Sequence, residues 1–186
     1  MRVLGIDPGL GRTGIALVDG APNNLTLVSA ARLDTLPQTS EAARLSNLFD
    51  LVMDAVATLR PEVAALELLF LSTNRRTAMR VSEARGVILC ALGRSHLLVA
   101  QYTPTQVKEA VCGYGGARKP QVARMTQQLL GLETTSDDVA DACAVAICHH
   151  HRGALGARLA KSGLQRPTRL EQAVAQARAR LGSMVR

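Results

Sequence analysis

Four carboxylates in this sequence follow or interrupt apolar segments, where an isolated negative charge is costly. Asp7 ends the first apolar run, and Glu67 lies within the most hydrophobic stretch of the chain. Asp138 and Asp141 stand at the start of a predicted helix. Because residues three apart on a helix share a face, the last two point the same way. A buried carboxylate without a partner costs many kcal/mol, so each of these residues needs one.

Divalent cations are partners that suit this set. Four carboxylates about 5 Å apart repel by roughly 3 kcal/mol per pair at an effective dielectric constant near 20. Oxygen-only ligands select Mg²⁺ or Mn²⁺ rather than zinc. Two such ions about 3.5–4 Å apart would activate a water and stabilise the leaving oxygen in phosphodiester hydrolysis. The structural alternatives are a buried ion pair or a strand-end position for Glu67, and helix-dipole stabilisation of about 0.3–1 kcal/mol for Asp137 and Asp138.

The glycines at positions 9, 11 and 14 form a G-x-G-x-x-G pattern, which raises the alternative of a dinucleotide-binding loop. Such a loop leads into a helix whose N-terminus meets the pyrophosphate. Here residues 15–20 are strand formers closed by an Asp-Gly turn and are too few for a helix. The sequence therefore predicts a hairpin whose glycines permit positive φ and let a phosphate backbone approach Asp7.

Hydrophobic periodicity predicts the elements that position the carboxylates. Three short apolar runs separated by turns predict an antiparallel meander, and two further buried strands are predicted at 63–70 and 96–101. Helices are predicted from 41 to about 60, over 74–94, after Pro104, after Pro120 and from 136 to about 152. The order βββαβαβ followed by helices predicts an α/β fold: a mixed five-stranded sheet, its first three strands antiparallel, flanked by helices.

The net charge of +7 is unevenly distributed. Residues 75–124 carry 9 basic and 2 acidic side chains, residues 125–151 carry 4 acidic and no basic ones, and residues 152–186 carry 8 basic and 1 acidic. Basic segments beside an acidic one suit a protein that grips a polyanion around a cation-loaded site. A solvated face with a disordered tail is the structural alternative.

Composition narrows the class of protein. A chain of 186 residues with 47% apolar content can bury one sizeable core. No apolar run approaches the roughly 18 residues of a membrane span, and the first residues lead into a strand rather than a signal peptide. The four cysteines lack C-x-x-C spacing, which favours reduced thiols over disulfides or zinc. These features predict a cytoplasmic protein.

Several motifs occur in a fixed order between residue 2 and about residue 151: GIDPG with a following TG, ALELLF, the ARG of SEARG, TPTQVKEAVCGYGGARKPQV and DVADACAVAICHHH. Together they resemble the RuvC family of bacterial Holliday junction resolvases. The resemblance implies a ribonuclease H-like fold and a homodimer that makes paired symmetrical nicks across four-way DNA junctions in recombination and repair. It implies two Mg²⁺ ions per subunit, with Mn²⁺ as a substitute, and the branch-migration proteins RuvA and RuvB as partners.

The resemblance also assigns roles to individual residues. Asp7, Glu67, Asp138 and Asp141 match the family's catalytic acids and are the expected metal ligands. The third of these positions is Asp or His within the family and is Asp here. Residues 1–153 would form the nuclease domain, and residues 154–186 a basic C-terminal tail, mobile or loosely helical.

Basic and aromatic residues near the acids are the expected DNA contacts. Lys119, assigned to catalysis, and Lys108 match basic residues near the cleavage site, suited to phosphate contact and leaving-group stabilisation. Each could instead be a solvated surface lysine. Phe70 matches an aromatic that contacts junction bases, although core packing is the alternative. The remaining expected DNA contacts are Arg75, Arg76 and Arg118.

Two further features yield expectations. The helix predicted over 74–94 corresponds to the family's dimer interface and carries a stripe of small apolar residues that permits close helix–helix approach. That stripe is Val81, Ala84, Ile88 and Ala91. The adjacent histidines 149–151 point in different directions on a helix, which favours a helix-end cation role over a zinc site.

Three other functions compete with junction cleavage. A related nuclease family processes ribosomal RNA precursors, but it is shorter and lacks a basic dimer helix of this kind. The sugar-kinase and actin ATPases share an Asp-glycine phosphate loop, but they need two such domains and 186 residues are too few. A catalytically inactive junction-binding module is disfavoured because four carboxylates harm DNA binding unless they hold cations.

Overall fold

The structure, a computed structural model, describes residues 1–68, 75–132 and 136–161, apart from the side chains of residues 75, 76 and 154–161. Its elements are β1 (Val3–Asp7), β2 (Arg12–Ala21), β3 (Asn24–Asp34), α1 (Glu41–Leu59), β4 (Val63–Glu67), α2 (Arg75–Arg94), β5 (Leu98–Tyr102), α3 (Pro104–Cys112), α4 (Lys119–Leu130) and α5 (Asp137–Lys161). No helix among these has the length and apolar character needed to span a bilayer.

The five strands form one mixed sheet in the order β3-β2-β1-β4-β5. The β1–β2 and β2–β3 pairs are antiparallel, whereas β1–β4 and β4–β5 are parallel. The predicted sheet is therefore confirmed, with β1 at its centre. The glycine-rich segment leads into the ten-residue strand β2 rather than a helix, so the prediction of a hairpin over a dinucleotide loop is also confirmed.

Helices cover both faces of the sheet. On one face α1 and α2 pack on side chains of β1, β2 and β4, including Leu4, Ile6, Leu17 and Leu66. On the other face α3, α4 and α5 pack on residues that point the opposite way, such as Val3. The alternation along β1 and β4 follows from the two-residue period of a strand, and because both faces are covered, both strands are apolar up to their last residue.

Helix α2 does not use its predicted stripe as a dimer face. Ala84, Ile88 and Ala91 are fully buried in the core beside α1, and Val81 is half-buried. The expectation that this stripe meets a partner subunit was wrong, because the same apolar spacing serves the monomer's own sheet and α1. The opposite face of α2, with Met79, is exposed instead.

Two predicted boundaries also differ. Strand β4 ends at Glu67, not at 70; Leu68 is described outside the strand, and residues 69 and 70 lie outside the described part. The helix predicted to end near residue 152 runs to Lys161, because residues 153–161 are mostly good helix formers without proline.

The chain divides into two units, Met1–Arg152 and Gly153–Arg186. In the second unit the described residues, 153–161, are the end of α5. The predicted role of the basic tail falls on residues that lie largely outside the described ranges.

Candidate active site

Two of the four carboxylates lie side by side at one edge of the sheet. Asp7 and Glu67 are the last residues of β1 and β4, which pair in parallel with Ile6 opposite Leu66. Because side chains alternate along a strand, both carboxylates project to the same face as Val3, the face that α5 covers. The strand-end position of Glu67 explains how a carboxylate follows so apolar a run.

Helix α5 brings the other two carboxylates to this edge by lying unusually close to the sheet. A Cβ at Gly5 of β1 would overlap the backbone oxygen of Ala142, and one at Gly14 of β2 would overlap that of Asp138. Gly14 pairs directly with Asp7 across the antiparallel ladder. The first turn of α5 therefore rests beside Asp7 only because position 14 has no side chain.

The glycines of the G-x-G-x-x-G pattern thus serve a different purpose from the one predicted. None of Gly9, Gly11 and Gly14 is among the described glycines with positive φ, which are at positions 20, 113 and 131. The expectation of positive φ was wrong. The approach of a phosphate backbone stays a prediction; the close neighbour of Gly14 in the structure is α5, and that of Gly9 is the backbone of Arg12.

The electrostatics of the cluster reflect this crowding. Burial, reinforced by the charges of Asp141, Glu67 and Asp138, raises the pKa of Asp7 to about 7. Burial and the charge of Asp141 likewise raise the pKa of Glu67, with Lys108 and Lys119 opposing the shift. A bound cation would offset both the desolvation of these carboxylates and their mutual repulsion.

Lys119 supplies positive charge at the cluster. Its Nζ lies 2.8 Å from Oδ2 of Asp141 and 3.7 Å from Oδ2 of Asp137. The hydrogen bond to Asp141 raises the pKa of Lys119, which remains protonated. The contact with Asp137 was not foreseen; that residue had been attributed to the helix dipole alone, and its exposed position at the start of α5 gave no signal of a lysine partner.

A cleft of about 190 Å³, which we call the reaction cleft, joins these groups. Both lysines predicted to lie near the cleavage site, Lys108 and Lys119, line it together with the carboxylates Glu67 and Asp141. Its floor is apolar and comes from α3, α4 and α5, including Val107. A negatively charged backbone entering this cleft would meet ammonium groups beside carboxylates.

The donor set fits a hard divalent cation, although the side chains are not arranged around one. Among the described residues no three His, Cys, Asp or Glu side chains stand in a metal-holding group. The cluster offers carboxylate oxygens without sulfur or imidazole, the donors that Mg²⁺ and Mn²⁺ accept. The Lys119–Asp141 ion pair engages one of these carboxylates in the present arrangement.

The remaining predicted contacts are placed only in part. Arg118 is exposed directly before α4, where its N–H donates to Oε1 of Gln121 at 2.8 Å. The backbone of Arg75 and Arg76 begins α2, but their side chains are not described. Phe70 lies outside the described residues, so its exposure stays a prediction.

The three consecutive histidines are structural rather than a helix-end charge. His149 Nδ1 lies 2.7 Å from the hydroxyl of Tyr102, His150 Nε2 donates to the Val18 carbonyl at 3.1 Å, and His151 contacts the carbonyls of Ala110 and Pro22. The predicted helix-end role was wrong, because α5 continues to Lys161. Each ring instead attaches α5 to a different part of the fold.

The comparison with known families agrees with this site. Residues 3–149 match the family model described as crossover junction endodeoxyribonuclease RuvC. The chain belongs to the RuvC family. Members of this family are divalent-metal-dependent nucleases, which agrees with the carboxylate donor set found here.

RuvC proteins from several bacteria align over most of the chain. The crossover junction endodeoxyribonuclease RuvC of Bordetella petrii is 45% identical over 175 residues, covering 91% of this chain and 96% of that protein. The RuvC of Heliobacterium modesticaldum is 46% identical over 153 residues, covering 81% and 94%. The fold matches Thermus thermophilus RuvC, solved in complex with Holliday junction substrate, with a TM-score of 0.79 and 32% identity over 84% of this chain and 96% of that one. The predicted ribonuclease H-like fold is thereby confirmed.

Proposed function

We propose that this protein is a structure-selective endonuclease that resolves four-way DNA junctions by paired symmetrical nicks, in homologous recombination and DNA repair. The observation that carries the proposal is the carboxylate cluster at the strand ends of β1 and β4, beside two lysines in one cleft. Membership of the RuvC family and the likeness to a relative solved on a Holliday junction support this substrate.

The proposed cofactor is Mg²⁺, two ions per subunit, with Mn²⁺ as a substitute. Asp7, Glu67, Asp138 and Asp141 are the residues we assign as ligands, since they are oxygen donors and since burial, together with the charges of the other three, raises the pKa of Asp7. Bound ions would activate the attacking water and neutralise charge on the leaving oxygen.

The protein's own cations have a separate task. Lys108 and Lys119 reach the reaction cleft from α3 and α4, so they can hold the phosphate backbone against the carboxylates. We assign Lys119, which forms an ion pair with Asp141, to offsetting the negative charge that develops at the cleaved phosphate. Phe70, Arg75, Arg76 and Arg118 are proposed contacts to the surrounding DNA.

Cleavage of a synthetic four-way junction in Mg²⁺ and in EDTA tests the proposal. Wild type should nick opposite strands in Mg²⁺ alone. Asp7→Asn, Glu67→Gln, Asp138→Asn and Asp141→Asn should each lose about 10³-fold or more in rate, about 4 kcal/mol of transition-state stabilisation, while junction affinity in EDTA persists. Asp50→Asn, which removes an exposed carboxylate from α1, is the matched control. Near-normal cleavage by any of the four variants would remove that residue from the ligand set.

Two symmetrical cuts require two active sites, so we propose a homodimer. The exposed face of α2 can meet a second copy, because Met79, Ser82, Gly86 and Cys90 follow one another at helical spacing on it. A side chain at Gly86 would meet nothing within 4 Å in the monomer. This face replaces the buried stripe that the sequence had suggested.

Gly86→Arg therefore tests the dimer without disturbing the monomer's packing. We expect a monomer by sedimentation and loss of paired nicking, whereas Ser46→Arg on the exposed face of α1 should remain dimeric. If the Gly86→Arg protein sediments as a dimer, the interface lies on a surface other than this face of α2. The family's branch-migration proteins RuvA and RuvB are the proposed functional partners, acting with this protein on chromosomal DNA in the cytoplasm.

A further inference from the structure

A second cleft, with a volume of about 420 Å³, adjoins the reaction cleft on the side of α4. Lys119 lines both, so the two clefts are neighbours. The second cleft, which we call the α4 cleft, falls in the range of about 300–1,000 Å³ typical of ligand pockets. Its lining residues are Lys119, Pro120, Ala123, Arg124, Gln127 and Asp137.

One face of α4 forms most of this lining. Pro120, Ala123, Arg124 and Gln127 follow the i, i+3, i+4, i+7 spacing of a single helical face. The two small residues leave the space open, and the two long ones bring a guanidinium and an amide to it. The lining of the α4 cleft therefore combines two small apolar residues with side chains that carry N–H donors.

The charge of the α4 cleft is net positive. Lys119 and Arg124 outnumber Asp137, whose side chain is 83% exposed and 3.7 Å from Lys119 Nζ. Arg124 is exposed, and within the described part of the chain no carboxylate lies at ion-pair distance from it. Its guanidinium is free to donate a planar pair of N–H groups, the geometry that matches a phosphate.

We propose that the α4 cleft binds a backbone phosphate of the cleaved strand next to the scissile one, with Arg124 as its principal contact. The inference rests on the proposed function, since a strand whose scissile phosphate lies at the carboxylates must continue past them. A strand that leaves the reaction cleft past Lys119, which lines both clefts, enters the α4 cleft. Holding the neighbouring phosphate fixes the position of the scissile bond, and a misplacement of about 1 Å can cost on the order of 100-fold in rate.

Arg124→Gln removes the charge and keeps the length of a polar side chain on an exposed helical position. We expect cleavage at saturating enzyme to slow by about 10- to 100-fold. The slope of log affinity against log salt, measured with the junction in EDTA, should shrink by about 0.7–0.9, the value for one phosphate contact. Arg60→Gln, at an exposed arginine directly after α1, should change neither quantity.

A junction with one neutral methylphosphonate linkage at a time locates the contact. For wild type in EDTA, neutralising one linkage beside the scissile phosphate should weaken binding. For Arg124→Gln the same linkage should cause no further loss, because the partner charge is already gone. Independent, additive losses at every flanking linkage would overturn the inference.

Two other outcomes separate this inference from its alternatives. A changed preference for the bases around the cut, with the methylphosphonate response intact, would mean that Arg124 reads a base edge and would overturn the phosphate assignment. Wild type that fails to cut junctions in Mg²⁺ would refute the proposed function. Wild type that cuts while Arg124→Gln cuts and binds equally well would refute only the α4 cleft's role.

Discussion

The two faces of the sheet are covered in different ways. On the α1 and α2 side, long aliphatic side chains such as Leu4, Leu66 and Ile88 fill the space between helix and strand. On the α5 side the contact is made by small residues, with Ala16 against Ala142 and Cys143, and glycines at positions 5 and 14 admit the helix backbone itself. The first face buries more apolar volume per residue, whereas the second brings backbones close together.

The α1 and α2 face therefore contributes mainly to the stability of the fold, whereas the α5 face positions the carboxylates. Large buried side chains contribute most of the transfer free energy of a core, about 1.5–3 kcal/mol each. A helix held by alanine and glycine gains less per residue, but its distance from the strand is fixed by backbone contact. The carboxylates are on the second face, where Asp138 cannot move away from Asp7 without breaking the contact at Gly14.

The largest expected effect is on the α1 and α2 side. Ile88→Ala should lower the free energy of unfolding by about 2–5 kcal/mol, because it leaves a cavity in a fully buried site. Urea denaturation measures the loss, and cleavage per folded molecule should stay near that of wild type. Reduced cleavage by the folded fraction would show that this face also positions the acids.

A smaller substitution on the α5 face should lower cleavage more than stability. Gly14→Ala adds a methyl group that overlaps the Asp138 carbonyl, so α5 must shift, at a cost of about 1–3 kcal/mol of stability. Cleavage should fall far more than stability does, since the shift separates Asp138 from Asp7. Gly93→Ala, whose Cβ meets nothing within 4 Å, is the control and should stabilise by up to about 1 kcal/mol. Full cleavage activity in Gly14→Ala would show that the close contact at Gly14 does not position the acids.

Neutralising an acid should stabilise the metal-free fold. The raised pKa of Asp7, about 7 against 3.8, means that the folded state holds a proton that the unfolded state releases. Stability in EDTA should therefore fall as pH rises from about 4 through 7. Asp7→Asn should reduce that fall, to which Glu67 also contributes, and add about 0.5–2 kcal/mol at pH 8, while Asp50→Asn should do neither. An Asp7→Asn protein no more stable than wild type at pH 8 would contradict the crowding argument.

The smallest expected effect concerns the histidine that ties α5 to β2. Burial lowers the pKa of His150 below 6.5, so protons favour the unfolded state and stability should decline as pH falls from about 6.5. His150→Gln should reduce the difference in unfolding free energy between pH 7.5 and pH 5, whereas His96→Gln, at an exposed position, should not. If His150→Gln leaves the difference in unfolding free energy between pH 7.5 and pH 5 unchanged, groups other than His150 cause the loss of stability in acid.

The sequence predicted the sheet, and it predicted that the four acids would lie near one another, because both expectations rest on local patterns. Apolar runs and turns defined the strands, and a carboxylate in an apolar run is conspicuous wherever the chain places it. The purpose of Gly14 was not predictable, because it depends on contact with a residue 124 positions away. The stripe of α2 was misassigned for a related reason: helical spacing shows that Ile88 faces something apolar, but not whether that neighbour is in the same subunit.

The Lys119–Asp141 contact and the α4 cleft were missed because each requires the relative placement of α4 and α5. A basic residue at the start of one helix and an acid within the next give no local sign that they pair. Arg124 looked like any exposed arginine until its neighbours on the same helical face, Pro120 and Ala123, were seen to line a cleft.

The carboxylates at Asp7, Glu67 and Asp141 come from β1, β4 and α5, three segments separated by about 60 to 75 residues of chain. A ribosome that releases the polypeptide before residue 137 yields a product with only two of the four acids and with the glycines of β1 and β2 uncovered. Contacts between residues so far apart in sequence form late in folding, because closing the long loops between them costs conformational entropy. If all four acids hold the metal, as proposed, a chain that lacks α5 has no complete site, and the capacity to cut arises only once the polypeptide has been synthesised and folded through α5.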